Sequence, residues 1–243
     1  MVSRYEVVAG KNAVRELLLS KKPVEEVLYC GRLDADIERK ARESRINLRQ
    51  VSRGQLEKLS SQHQNVIALA YKAIRQLELD ELLGLAHEDP NQPPLLVMTD
   101  GIQDPRNLGA AVRVADAAGS HGLILPRRRA APPTATVIRA AAGATAHYPL
   151  VSVTNLSRAI KECKQAGLWI AGLDADAPKS IWEADLTGPL VIVLGSEHKG
   201  LRRLVREGCD YTLNIPMFGG VNSLNASTAL AVALYEVRRQ RIR

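Results

Sequence analysis

The stretch IPMFGGVNSLNASTALAVALYEVRRQR, residues 215–241, decides how the chain is read. It leaves an apolar strand end, passes through a loop holding Gly219, Gly220, Asn222, Ser223 and Asn225, and enters a long apolar helix. Almost nothing in that loop titrates, so it cannot carry acid–base chemistry by itself. Small and amide side chains let main chain approach a flat ligand closely and hydrogen-bond to it. In open α/β sheets, ligands gather beyond the carboxyl ends of the strands. The question is whether the rest of the chain builds such a sheet.

Working back from residue 215, the apolar runs alternate with helical patterns. PLLVMTD, GLILP, LWIAGL, PLVIVLG and YTLNIPM read as strands, and NLGAAVRVADAAG and NLSRAIKECKQAG read as helices between them. Gly119 and Gly167 are natural helix stops, and Asn155 is a candidate N-cap. Continuous apolar strands with intervening helices predict a parallel sheet covered on both faces. The proline-rich DPNQPP resists regular structure and places a boundary in the region 74–93. Before it, NAVRELLLS, VEEVLYC, DIERKARESR, INLRQVS, RGQLEKLS and NVIALAY predict a small α/β module of about 70 residues. The expected layout is residues 1–74 as an N-terminal domain, 75–93 as a linker and 94–243 as a second domain.

Composition narrows the function classes. The 243 residues are 46% hydrophobic and 24% charged, which is ordinary for a globular chain. No apolar run reaches membrane-spanning length, and charge interrupts the opening residues too often for a secretory signal. Cys30, Cys163 and Cys209 show no ligand spacing and are expected as buried free thiols in a cytoplasmic protein. The five histidines show none either, and no metal site is expected. Up to residue 90 there are 15 Lys/Arg against 14 Asp/Glu; beyond it there are 18 against 12. This excess includes Arg127 to Arg129, Arg202, Arg203, Arg206 and the basic end RRQRIR. Such clusters suit a phosphate-backbone partner such as RNA, although a merely basic enzyme would show them too. Aromatic residues are only 4%, which disfavours a row of stacking rings.

The strand–helix junction DGIQDPRNLGAAVR lacks both the GxGxxG and the GxxxxGK[ST] phosphate cradles, and no GxSxG elbow occurs. A nicotinamide oxidoreductase is therefore disfavoured. The junction offers Asn107, either a helix N-cap or a substrate-orienting amide, and Arg113, a cation in an Ala/Val-rich helix expected to be buried and to be paired or used. A second constellation, VIVLGSEHKGL, ends a strand at Gly195 and carries Glu197 and Gly200.

Taken in order, DPRNLGAAVRVADAAG, LVIVLGSEHKGL and LNIPMFGGVNSLNAS resemble the three motifs of the SpoU/TrmH family of S-adenosylmethionine-dependent RNA 2′-O-ribose methyltransferases. The likeness covers the C-terminal 150 or so residues. The N-terminal module, with GKNAVRELL and SSQHQNVIALA, is similar to the substrate-binding extension of the branch that modifies a guanosine in 23S ribosomal RNA. The resemblance implies a SPOUT fold, a parallel α/β sheet with a deep trefoil knot, acting as a homodimer. It also implies Asn107, Arg113, Glu197, Ser223 and Asn225 as the catalytic set. Gly195, Gly200, Ile215, Met217 and Leu224 would lie around the S-adenosylmethionine, and no metal is needed. Asn222 and Ala226 depart from the usual motif residues, flanking the catalytic pair. A transfer-RNA guanosine enzyme and a non-catalytic ribosome-assembly factor remain alternatives.

Overall fold

The computed structural model describes residues 5–20, 22–72, 74–128, 130–131, 134–196 and 200–242, with residue 135 described in its backbone only. They form two compact units, 1–73 and 74–243. In the first, β1 (Tyr5–Ala9), α1 (Lys11–Leu19), β2 (Val24–Tyr29), α2 (Ala35–Glu43), β3 (Asn47–Gln50), α3 (Arg53–Glu57) and β4 (Val66–Tyr71) follow one another. The sheet order is β1-β4-β2-β3, with β2 and β3 parallel and the other pairs antiparallel. Val14 and Leu17 of α1 and Ile37 of α2 pack with Val27, Val66 and Ala68, whereas Leu56 of α3 packs with Leu28 and Ile67. The alternation of Val27 with Leu28, and of Ile67 with Ala68, sends neighbours to opposite faces, as a pleated strand requires.

The second unit runs α4 (Leu79–Glu88), β5 (Leu95–Asp100), α5 (Pro105–Ala117), β6 (Gly122–Pro126), α6 (Ala135–Ala140), β7 (Leu150–Val153), α7 (Leu156–Gln165), β8 (Trp169–Leu173), β9 (Lys179–Ser180), β10 (Leu190–Gly195), α8 (Arg203–Gly208), β11 (Tyr211–Asn214) and α9 (Ala226–Arg241). Its strands pair in the order β7-β6-β5-β10-β8-β11-β9, every pair parallel, as the apolar runs predict. Both faces are covered. Leu95 and Val97 of β5 join Ile192 of β10 in a core with Leu108, Val112, Leu230 and Leu234. Leu96, Met98, Val191 and Val193 face the other way, toward Leu82, Ile160 and Val205. α9 packs against α5 and β10. That return of the chain is compatible with the knot the resemblance implies.

The stretch expected to be a linker holds α4, whose Leu79, Leu82 and Ala86 are buried in the second unit's core. Just before it, Leu77 N donates to Leu150 O and Leu150 N to Arg75 O, so residues 75–77 cover the outer edge of β7. β1, β7, β9 and α6 were not anticipated. Two of these strands have four residues or fewer, too short for alternation to register. No helix among the described residues is long and apolar enough to cross a membrane. All three cysteines are free, with Cys163 buried and Cys30 and Cys209 only half-buried. The two tryptophans, Trp169 and Trp182, are 58% and 47% exposed.

Candidate active site

From β5 the chain turns toward β6 and β7 on one side of the sheet, and β10 is followed by β11 on the other. The crevice outside the ends of these two adjacent parallel strands is where such a sheet can receive a ligand. Gly195 ends β10 there, paired with Asp100. A β-carbon on Gly195 would lie 2.3 Å from the Gly200 carbonyl carbon and 2.6 Å from Leu201 N. Only glycine lets the following loop fold back so tightly. The fold-back is locked by two bonds, Ser196 N to Gly200 O at 3.0 Å and Gly200 N to Ser196 O at 2.9 Å. Gly200 itself has φ +59°, a left-handed turn position that suits glycine.

The loop after β11 faces this one. Gly195, Gly200, Ile215, Met217, Ser223 and Leu224 line a single cleft of about 820 Å³. Apolar Leu173, Ile215, Met217 and Leu224 share its wall with polar Asp174, Asn222 and Ser223, a mix that suits a nucleoside-sized ligand. Asn225 is the N-cap of α9, its Oδ1 accepting from Ser227 N at 3.0 Å. Its Nδ2 donates to Asn107 Oδ1 at 3.2 Å, so the third motif touches the first across 118 residues. Ser223 is exposed on the cleft wall.

Three expectations change. Asn107 is not the N-cap of α5; Asp104 is, accepting from Arg106 N at 2.8 Å, and Pro105 begins the helix. The Asp-Pro pair was the stronger start signal. Arg113 is exposed rather than enclosed, because the apolar residues around it turn to the other side of α5. The basic end of the chain is largely spent on the fold. Arg238 donates to Ala118 O and Gly119 O at the end of α5. Arg241 donates to Pro93 O at 2.8 Å and Gly188 O at 2.6 Å. Arg129, in the first basic cluster, and Glu197, a proposed catalytic residue, lie outside the described residues.

One part of the cleft lies outside the three motifs. Leu173 and Asp174, at the end of β8, line it, and Asp174 pairs with Arg206 Nε at 3.0 Å. LWIAGL followed by an acid is a strand end at the ligand-bearing edge, which is the signal that could have found it. Among the described residues no group of three or more His, Cys, Asp or Glu is placed to hold a metal ion.

Residues 94–235 match the SpoU rRNA Methylase family, and residues 7–74 match the RNA 2′-O ribose methyltransferase substrate binding family. The chain belongs to the SpoU rRNA methylase family. This SpoU chain is 41% identical to the 23S rRNA (guanosine-2′-O-)-methyltransferase RlmB of Pseudomonas putida, over 99% of its own length and 98% of the relative's. It is 44% identical to an uncharacterized tRNA/rRNA methyltransferase of Mycolicibacterium vanbaalenii, over 97% of its length and 77% of the relative's. Among solved structures, the SpoU methyltransferase AviRb from Streptomyces viridochromogenes in complex with AdoMet superposes with a TM-score of 0.64 at 29% identity, covering 99% of this chain and 91% of that one. The SpoU chain is thus an RNA 2′-O-ribose methyltransferase, its catalytic family match falling on the second unit and its substrate-binding match on the first.

Proposed function

We propose that the protein transfers the methyl group of S-adenosylmethionine to the ribose 2′-hydroxyl of a guanosine in 23S ribosomal RNA. The observation that carries this reading is the meeting of the three motifs. Gly195, Gly200, Ile215, Met217 and Leu224 line one cleft, and Asn107 bonds Asn225. In the proposal those five hold the methyl donor, chiefly through main chain and apolar contact. The donor supplies an already activated methyl, so the chain's tasks are alignment and the handling of a weakly acidic hydroxyl.

Asn107, Ser223 and Asn225 orient the ribose in this scheme. A guanidinium is a poor proton acceptor, so Arg113 acts instead by binding the neighbouring phosphate and stabilising charge that develops on the 2′ oxygen. Its exposure leaves it open to RNA. Glu197 is assigned a supporting role, holding a basic residue or the loop. The 41% identity over nearly the whole chain to a 23S rRNA (guanosine-2′-O-)-methyltransferase supports a ribosomal target over transfer RNA. We further propose a cytoplasmic homodimer. A second copy would cover Phe218, Val221 and Tyr235, which are 93%, 63% and 55% exposed on the cleft loop and α9.

Mapping ribose methylation across ribosomal and transfer RNA in a deletion strain, with and without complementation, tests the target. The expected result is one 23S guanosine that loses its methyl and regains it. Loss at a transfer-RNA position instead would reject the target, and no loss anywhere would favour an assembly factor. Light scattering on the purified protein tests the dimer; a monomer mass at micromolar concentration would rule it out.

A further inference from the structure

Asp100 is the last residue of a strand whose six positions are all buried, and its side chain is fully enclosed. A carboxylate there is costly unless charged or polar donors surround it. Among the described residues, one supplies them. Arg202, 102 positions later, places Nε and Nη2 each 2.5 Å from Oδ1, and its main-chain N–H donates to Oδ2 at 2.7 Å. Bonds of this kind, with both partners ionised, are among the strongest the interior offers.

The position of this pair is what gives it meaning. Gly195, where the cleft loop begins, is the register partner of Asp100 in the β5–β10 pair. Arg202, where the loop ends, is the N-cap of α8. Both ends of the loop are therefore tied to a single residue. Between them, Gly195, Ser196, Gly200 and Leu201 line the cleft, whereas Asp100 and Arg202 do not. Leu201 also packs so closely on Gly172 that a β-carbon there would lie 2.6 Å from its Cδ1. Any slackening at Arg202 shifts the cleft wall and not only the surface.

We infer that Asp100 and Arg202 are a positioning pair for the methyl-donor cleft, holding Gly195, Ser196, Gly200 and Leu201 in their places on its wall before the ligand arrives. A cleft wall fixed in advance spares the ligand the cost of fixing it. The inference rests on the cleft being the S-adenosylmethionine site, and its test separates the two ideas.

S-adenosylmethionine is titrated calorimetrically into the full-length protein and into Asp100→Asn, Arg202→Gln and the double variant, with a thermal melt of each to establish folding. If the unaltered protein takes up no ligand, the cleft assignment fails and the inference with it. If it binds, each single variant is expected to weaken binding by about tenfold, the effect of losing a hydrogen bond to a charged group. The double variant should be no weaker than about the worse single, since the residues act as one unit. KM for the donor should rise in step while kcat at saturation stays within about twofold, the mark of lost ground-state binding. A lower melting point with donor affinity unchanged makes the pair purely structural and overturns the inference. Should Asp100→Asn fail to fold, Arg202→Lys keeps the main-chain bond and the charge but loses the planar fork, and the same readouts apply.

Discussion

Gly195 shows how little side chain the cleft uses. A methyl at this position would strike the main chain of Gly200 and Leu201, none of which can rotate aside. Gly195→Ala should therefore part the Ser196–Gly200 bridge and weaken S-adenosylmethionine binding by about tenfold or more, read by calorimetry on a protein that still melts cooperatively. Arg113 calls for a different measurement. Single-turnover methylation at saturating RNA should fall on the order of a hundredfold in Arg113→Ala, with Arg113→Lys restoring little of it. A rate unchanged at saturation, with only RNA affinity lost, would reject the charge-stabilising role. These residues were legible to different depths. Gly195, Gly200 and Ser223 stand at fixed places in the motifs and do line the cleft, as do Ile215, Met217 and Leu224, which the resemblance supplied. Nothing local could show that Arg113 faces outward, because helix composition says which residues are apolar and not which side a neighbour covers.

At the scale of elements, α5 is finished by another helix. Arg238 of α9 reaches Ala118 O and Gly119 O, occupying carbonyls that the helix end leaves open. Burial lowers the pKa of its guanidinium, yet the carbonyl ends of α5 favour a cation. Removing it in Arg238→Ala should destabilise the protein by about 1–3 kcal/mol, measured by urea unfolding. The sequence displays these arginines as a basic cluster suited to phosphate. Their internal use depends on α9 lying beside α5, a pairing across 120 residues that no spacing encodes. The buried strands and capped helices were readable because their signals are local: Asn155 does cap α7, and Gly119 and Gly167 do adopt left-handed turns. The knot is the reverse case, a property of threading that neither period nor composition records, so that only the likeness to a family suggested it.

For the whole molecule, the place where the second unit begins has practical weight. A fragment starting at residue 94 would lose Leu79, Leu82 and Ala86 from the core and bare the edge of β7, whereas one starting at 74 keeps both. Two buried leucines alone are worth about 3–6 kcal/mol, so the longer fragment should give a cooperative melt and the shorter one should aggregate. Alkaline pH probes the same core. Burial pushes the Cys163 and Cys209 thiols from the usual 9.0 up to about 12. Burial likewise lifts the Tyr211 hydroxyl from 10.0 to about 12. Above pH 9 the unfolded chain releases these protons while the folded one retains them, so the unfolded state binds fewer. Stability should thus be unaffected by them below pH 9 and fall steadily between 9 and about 12, a slope that chemical unfolding at several pH values would reveal. An experimenter following such transitions by indole emission would be poorly served. Trp169 and Trp182 already meet water in the native state, and the first unit has no tryptophan at all. Their colour would barely change as the interior opens, and the substrate-binding unit would give no indole signal, so circular dichroism or a reporter placed inside the sheet is the better witness.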